Sequence, residues 1–239
     1  MSGILGLFGT ATHSYAKSKP THVYQFVAIQ GLIEQEIALD IFQRISEQAQ
    51  LNITVSPLPA KRAEHSVFND IKDGEILRIF EYGKNNPKVI RVPTPYYKLR
   101  TAVFFNKNKP LQITQASELA QYRVGVVRGV KHTQVITRGL NNVIQSNTTE
   151  QLFSLLNSGR IDIALTSKID GLMTLNQQNL HSISHQEQSL ATLNLYIYVN
   201  HRYPQMVNQL EQAIVELTRN GQLQAHTQQS EQNILGIAQ

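Results

Sequence analysis

The chain contains no cysteine, and only 16% of its 239 residues are charged, against ~25% in an ordinary soluble domain. The missing cysteine excludes disulfides, thiolate metal sites, a cysteine nucleophile and a lipid-bearing N-terminal cysteine. It fits an oxidising compartment without requiring one. Gln, Asn, Ser and Thr largely take the place of charge. No apolar run approaches the ~20 residues of a membrane span. Gly-rich phosphate loops, a Gly-x-Ser-x-Gly elbow, zinc spacings and paired catalytic carboxylates are also missing, so no cofactor, metal or catalytic residue is indicated. The formal charge is +5, but Lys and Arg are scattered and no short window is dominated by them, which argues against a nucleic-acid partner.

What is present is an alternation of periods. The chain is long enough for one large α/β domain or two small lobes. Its first sixteen residues, MSGILGLFGTATHSYA, hold a short apolar stretch at 4–8 and small residues at Ser14 and Ala16, with no Lys or Arg ahead of them. They read as a degraded signal peptide or, alternatively, as the leader of a cytoplasmic protein; residues 1–20 are set apart on that basis. From Thr21 onward a strand is expected at 23–29, then a helix whose face carries Ile33, Ile37, Ala38, Ile41, Phe42, Ile45 and Ala49. A strand at 53–57, a helix at 63–71 with Val67, Phe68 and Ile71 inward, and a strand at 76–80 complete a unit whose order implies parallel pairing.

A second unit follows Lys107. It holds a short helix at 116–120, a strand at 123–127, a helix around 133–140, a brief strand at 143–145, and a helix opened by a Thr148/Gln151 capping box and closed by Gly159. A strand at 161–165 leads into a second capping box, Ser167/Asp170, and a helix through Leu175. A strand at 193–199 and a helix at 205–220, ended by Gly221, come last, and residues 225–239 read as a frayed tail.

The segment SPLPAKRAEHSVFNDIKDGEILRIFEYGKNNPKVIRVPTPYYKLRTAVFFNK, residues 56–107, joins a Pro-Leu-Pro-Ala-Lys-Arg lead-in, a helix, the Asp73-Gly74 turn, a strand, an open loop, a Pro95-Tyr96-Tyr97 shoulder and a strand. This order resembles the first lobe of extracellular solute-binding proteins of family 3, the type II periplasmic-binding-protein fold. The resemblance runs from about Val23 to Gln222. It implies an α/β fold of two lobes, each a mostly parallel sheet flanked by helices, joined by two hinge strands near 104–106 and 198–200. The first lobe would be discontinuous, 21–105 plus 200–239, and the second would be 106–199.

Candidate site residues lie at the carboxyl ends of the strands, where open α/β sheets bind ligands. Arg78 interrupts an apolar strand; it can grip a carboxylate through two parallel hydrogen bonds or simply stand on a solvent face. Tyr82 could wall a ligand or pack. Of Tyr96 and Tyr97, one should enter the core and its neighbour face the cleft. Arg128, Lys131 and His132 occupy a loop before a helix, where the family has small residues that bind ligand through amides; their charge favours an anion. Thr166 and Ser167 stand where the family often has an Asp that binds an amino group, which argues against an ordinary α-amino acid, although a helix cap alone explains Ser167. Gln30 and Arg62 are weaker candidates. The carboxylate-clamping Arg of the family's amino-acid binders would fall within 84–87, at Asn86, and is absent. His181 and His185 alternate as a strand would, too far apart to share a metal.

The reading that follows is a monomeric periplasmic solute-binding protein, cytoplasmic if the leader is no signal. It captures a small polar or anionic solute, amino-acid-like or an organic acid, for an ABC-type transporter permease, without catalysis. The alternatives are an enzyme on the same fold, such as a dehydratase using Glu75 or Glu81, and a ligand-sensing module.

Overall fold

The computed structural model describes residues 22–84 and 86–236; the expected leader lies outside them. The first unit runs β1 (Tyr24–Ile29), α1 (Ile33–Gln48), β2 (Ile53–Leu58), α2 (Ala60–Phe68), β3 (Gly74–Ile79) and β4 (Val89–Arg91). After β5 (Tyr97–Asn106) and a 3-10 turn come β6 (Val124–Val127), α3 (Lys131–Ile136), β7 (Val143–Ser146), α4 (Thr149–Asn157), β8 (Ile163–Ser167), α5 (Lys168–Gln177) and β9 (Ile183–His185). The chain then returns through β10 (Ala191–Asn200) to α6 (Pro204–Arg219) and α7 (Gln222–Leu235).

The strands form one path, β2-β1-β3-β10-β5-β8-β6-β7. Its two ends are parallel, with β1 beside β2 and β3, and β6 beside β7 and β8. The middle is antiparallel and consists of the two long strands. Residues 97–101 of β5 pair with 191–195 of β10. Beyond that stretch β10 joins β3 and β4, while β5 joins β8 and β9. The strands therefore face each other a few residues earlier than 104–106 and 198–200, which pair inside the two parallel halves.

Local chemistry explains the helix ends. Gly31, at φ +72°, turns the chain out of β1 in a left-handed conformation open to glycine, and Glu34 and Glu36 favour the positive end of α1. Thr148 accepts from the Gln151 amide at 3.3 Å and Ser167 from the Asp170 amide at 3.1 Å, so both N-caps form, while the Gln151 side chain turns to the Asn147 amide and the Asp170 side chain to Thr149 and Thr166 instead of closing a box. The core of the first lobe sits between the sheet and α1, α6 and α7, with Ile37, Ile41, Phe42, Leu210 and Ile214 buried; each such side chain is worth about 1.5–3 kcal/mol. Against β5, a Cβ on Gly171 would stand 2.1 Å from the Phe104 ring, so α5 reaches the strand only because that residue is glycine.

Two expectations are corrected. Ile71 is 63% exposed, because α2 ends at Phe68 and Asp70 turns the chain with a positive φ. Residues 225–235, expected as part of a frayed tail, belong to the helix α7, which packs on α1, α5 and α6. Leu223 enters the core, Ile234 and Leu235 pack against it, and polar bonds add to the hold: Ser230 to Asp40, Glu231 to Arg100, and Asn176 to the Leu235 carbonyl.

Candidate functional site between the lobes

The parallel strands of both lobes end at one seam, which the starts of α1 and α5 approach from opposite sides. Gln30 to Glu34 lead out of β1 and Thr166 to Asp170 out of β8. The Glu34 carboxylate faces the Ser167 hydroxyl. Glu34, Tyr97, Lys98, Ser167 and Lys168 line a narrow crevice there. Glu34 Oε1 is sealed from solvent and has no hydrogen-bond partner. Burial foremost, with the charges of Asp170 and Glu231 adding, raises the Glu34 pKa. Behind Ser167, the Asp170 carboxylate accepts from Thr149 Oγ1 at 2.7 Å and Thr166 Oγ1 at 2.9 Å. The hydroxyl pair that the sequence presents as uncharged is thus backed by a carboxylate.

The expected cations divide into two kinds. Arg128 and Lys131 are exposed, and among the described residues their side chains make no ion pair. His132 is half-buried, bonded through Nδ1 to Thr101 Oγ1 at 2.8 Å, and burial lowers its pKa to about 4. At neutral pH it is an uncharged group holding a hinge strand. Arg78 donates from Nε to Glu75 Oε1 at 2.5 Å and from Nη2 to the Ala60 carbonyl at 3.2 Å. Its guanidinium also lies 4.5 Å from the Tyr82 ring centroid. Its charge balances Glu75, which is fully buried with a pKa raised by desolvation.

The aromatic candidates are mostly packed. Tyr82 sits 5.1 Å from Phe68 and 4.9 Å from Tyr198, with its hydroxyl sealed and burial raising its pKa. Tyr96 is buried in the first-lobe core and donates to the Ile76 carbonyl at 2.7 Å. Tyr97 reaches the seam crevice while its hydroxyl donates to Glu231 at 3.2 Å. Gln30 and Arg62 are exposed, and neither side chain makes a hydrogen bond among the described residues. The structure therefore brings Tyr97, Thr166, Ser167 and His132 toward the seam and leaves Arg78, Tyr82 and Tyr96 inside the first lobe.

Sequence reasoning missed Glu34 and Asp170. Glu34 falls on the stripe that continues through Ile37, Ala38 and Ile41, so a carboxylate on a buried face was its signal. Asp170 was visible as the second half of a capping box, and its side chain lies at the seam because the cap does. Phe80, half exposed at the end of β3 with Arg91 stacked 3.7 Å from its ring centroid, was also passed over.

This geometry defines the two-lobed fold of type II periplasmic-binding-protein domains, and solved structures share it. The GluR0 ligand-binding core in complex with L-glutamate aligns with TM-score 0.69 over 87% of this chain and 97% of its own, at 12% identity. A histidine kinase sensor domain aligns with TM-score 0.65 over 87% and 95%, at 14% identity. An amino-acid ABC transporter substrate-binding protein of Streptococcus pneumoniae bound to L-arginine aligns with TM-score 0.63 over 89% and 96%, at 13% identity. By sequence, the chain is 26% identical over 181 residues to an uncharacterised protein of Shewanella oneidensis, covering 72% of this chain and 67% of that one. No family model matches the chain. Among the described residues no helix is long and apolar enough to cross a membrane.

Proposed function

We propose that the protein captures a small amino-acid-like solute between its lobes, outside the cytoplasmic membrane, and presents it to a membrane permease without chemical change. The observation that carries this reading is the seam itself: strand ends from two parallel sheets meet there, and β5 and β10 link those sheets side by side. The charges suit a zwitterion. Glu34 and Asp170 offer acceptors to an ammonium group, and Arg128 and Lys131 are free to meet a carboxylate. With the hinge placed at 97–101 and 191–195, the first lobe is discontinuous and takes in the C-terminal helices, close to the 21–105 plus 200–239 partition.

A thermal-shift screen of amino acids, peptides, organic acids and sulfonates tests it. A ligand at 100 times its dissociation constant should stabilise the protein by ~2.7 kcal/mol; no stabilisation by any of them would sink the reading. Product appearing when a confirmed ligand is held with stoichiometric protein would instead favour an enzyme. A ligand-sensing module is the second reading, favoured by the similarity to a histidine kinase sensor domain and to the GluR0 core. Co-purification with a permease rather than a kinase separates the two.

A further inference from the structure

Glu34 belongs to α1, yet the surface it meets belongs to the other lobe. Lys98, Arg100 and Lys168 line the same crevice, but among the described residues none of them makes an ion pair with it. On α5, Asp170 is itself a carboxylate and Lys168 reaches Glu187 at 3.4 Å. On α7, Glu231 adds a third negative charge and is bonded to Arg100 and Tyr97. On β5, Arg100 is therefore paired, and Lys98 is exposed and makes no ion pair among the described residues. On α1 itself, Glu36 points to solvent. Closing the lobes thus covers one carboxylate oxygen and sets the group near Asp170 of the other lobe, in addition to Glu231 of its own, with Oε1 sealed and unpartnered. Desolvation and like charge outweigh the Ser167 hydroxyl contact in opposing ionisation of a group so placed, and opening the seam would return it to water.

We propose that Glu34 makes lobe closure proton-dependent, the closed arrangement holding it as the neutral acid and its ionisation driving the lobes apart. This rests on reading the seam as the surface that opens and closes around the solute. The sign follows from linkage: the carboxyl's pKa is higher closed than open, so the closed form binds the proton more tightly. Closure is favoured at acidic pH and lost as pH rises through the raised value. Where Glu34 is ionised, an ammonium group of the solute would stand in for the proton, so closure would wait for ligand.

Small-angle scattering of the ligand-free protein between pH 4.5 and 8, at fixed ionic strength, tests this on wild type, Glu34→Gln and the control Glu36→Gln. Wild type and Glu36→Gln should expand together as pH rises, and Glu34→Gln should stay compact throughout. Superimposable profiles for wild type and Glu34→Gln overturn the proposal. Should Glu34→Gln fail to fold, a carboxyl NMR titration of wild type decides. Glu34 titrating above the exposed glutamates supports the proposal, and titration among them overturns it. A screened ligand that compacts wild type and Glu34→Gln equally at every pH removes the proton dependence but leaves solute binding standing. Failure of every ligand to compact the protein removes solute binding while the ligand-free pH response is still read.

Discussion

Glu75 and Glu34 are both first-lobe carboxylates with one oxygen sealed from water and unpaired, but they differ in what faces them. Glu75 has Arg78 on its own strand, so its charge is balanced whether the lobes are open or closed. Glu34 faces Ser167 and two carboxylates that the rest of the fold brings to it. The same chemical group is an internal strut in one place and a state-dependent contact in the other. The partner's location decides which role it has.

The sharpest way to break this comparison is to remove the Glu75 partner. Arg78→Ala should destabilise the protein by about 3–5 kcal/mol in chemical denaturation, because a buried charge is left uncompensated. Replacing both members, Arg78→Met with Glu75→Leu, should recover most of that. A loss below about 1 kcal/mol for Arg78→Ala would mean that the pair behaves as an exposed one.

His132 provides a titrating counterpart on the second lobe. Burial holds its pKa near 4, against the ordinary 6.5 of the unfolded chain, so the native state binds fewer protons between those values. Stability present above pH 6.5 should fall as pH drops toward 4, by up to about 3 kcal/mol. His132→Gln should flatten that part of the stability-versus-pH curve, and an unchanged slope would assign it to other groups.

Gly171→Ala probes the packing that places the Ser167 cap. Its Cβ would collide with the Phe104 ring, and the expected cost is about 1–3 kcal/mol by overpacking, checked by thermal unfolding. The smallest effect is expected at Glu231→Gln. Arg100 is 42% exposed in that pair, so about 0–1 kcal/mol of stability should be lost. Because Glu231 is one of the charges raising the Glu34 pKa, the variant should also shift the scattering transition to lower pH.

The alternating elements, the Thr148 and Ser167 N-caps and the Gly159 and Gly221 terminators were legible because each is written within a few residues. The Arg78 site was only half legible. Residues three apart on a regular strand point to opposite faces, so nothing in ILRIF pairs Arg78 with Glu75. The pairing of β3 with β10 supplies the reason: Arg78 stands opposite Tyr196 and Glu75 opposite Tyr198, three residues against two. That bulge turns both side chains the same way. Helix α7 was illegible for another cause, since its core contacts, Leu223, Ile234 and Leu235, lie at its two ends and the polar residues between them leave little apolar periodicity to read. The seam was invisible because Glu34 and Ser167 meet only after the chain has crossed into the second lobe and folded back.

The central position of β10 also sets an order of assembly. As the chain leaves the ribosome, β3 emerges more than a hundred residues before the strand that covers its open edge. The second half, from β5 to β9, has its parallel neighbours β6, β7 and β8 complete before β10 exists. Until residue 200 is made, the amino-terminal half exposes an unpaired β3 edge, the kind of edge that recruits other chains. Nascent chains with their first 190 residues outside the ribosome should therefore show a protease-resistant second half and an aggregation-prone first.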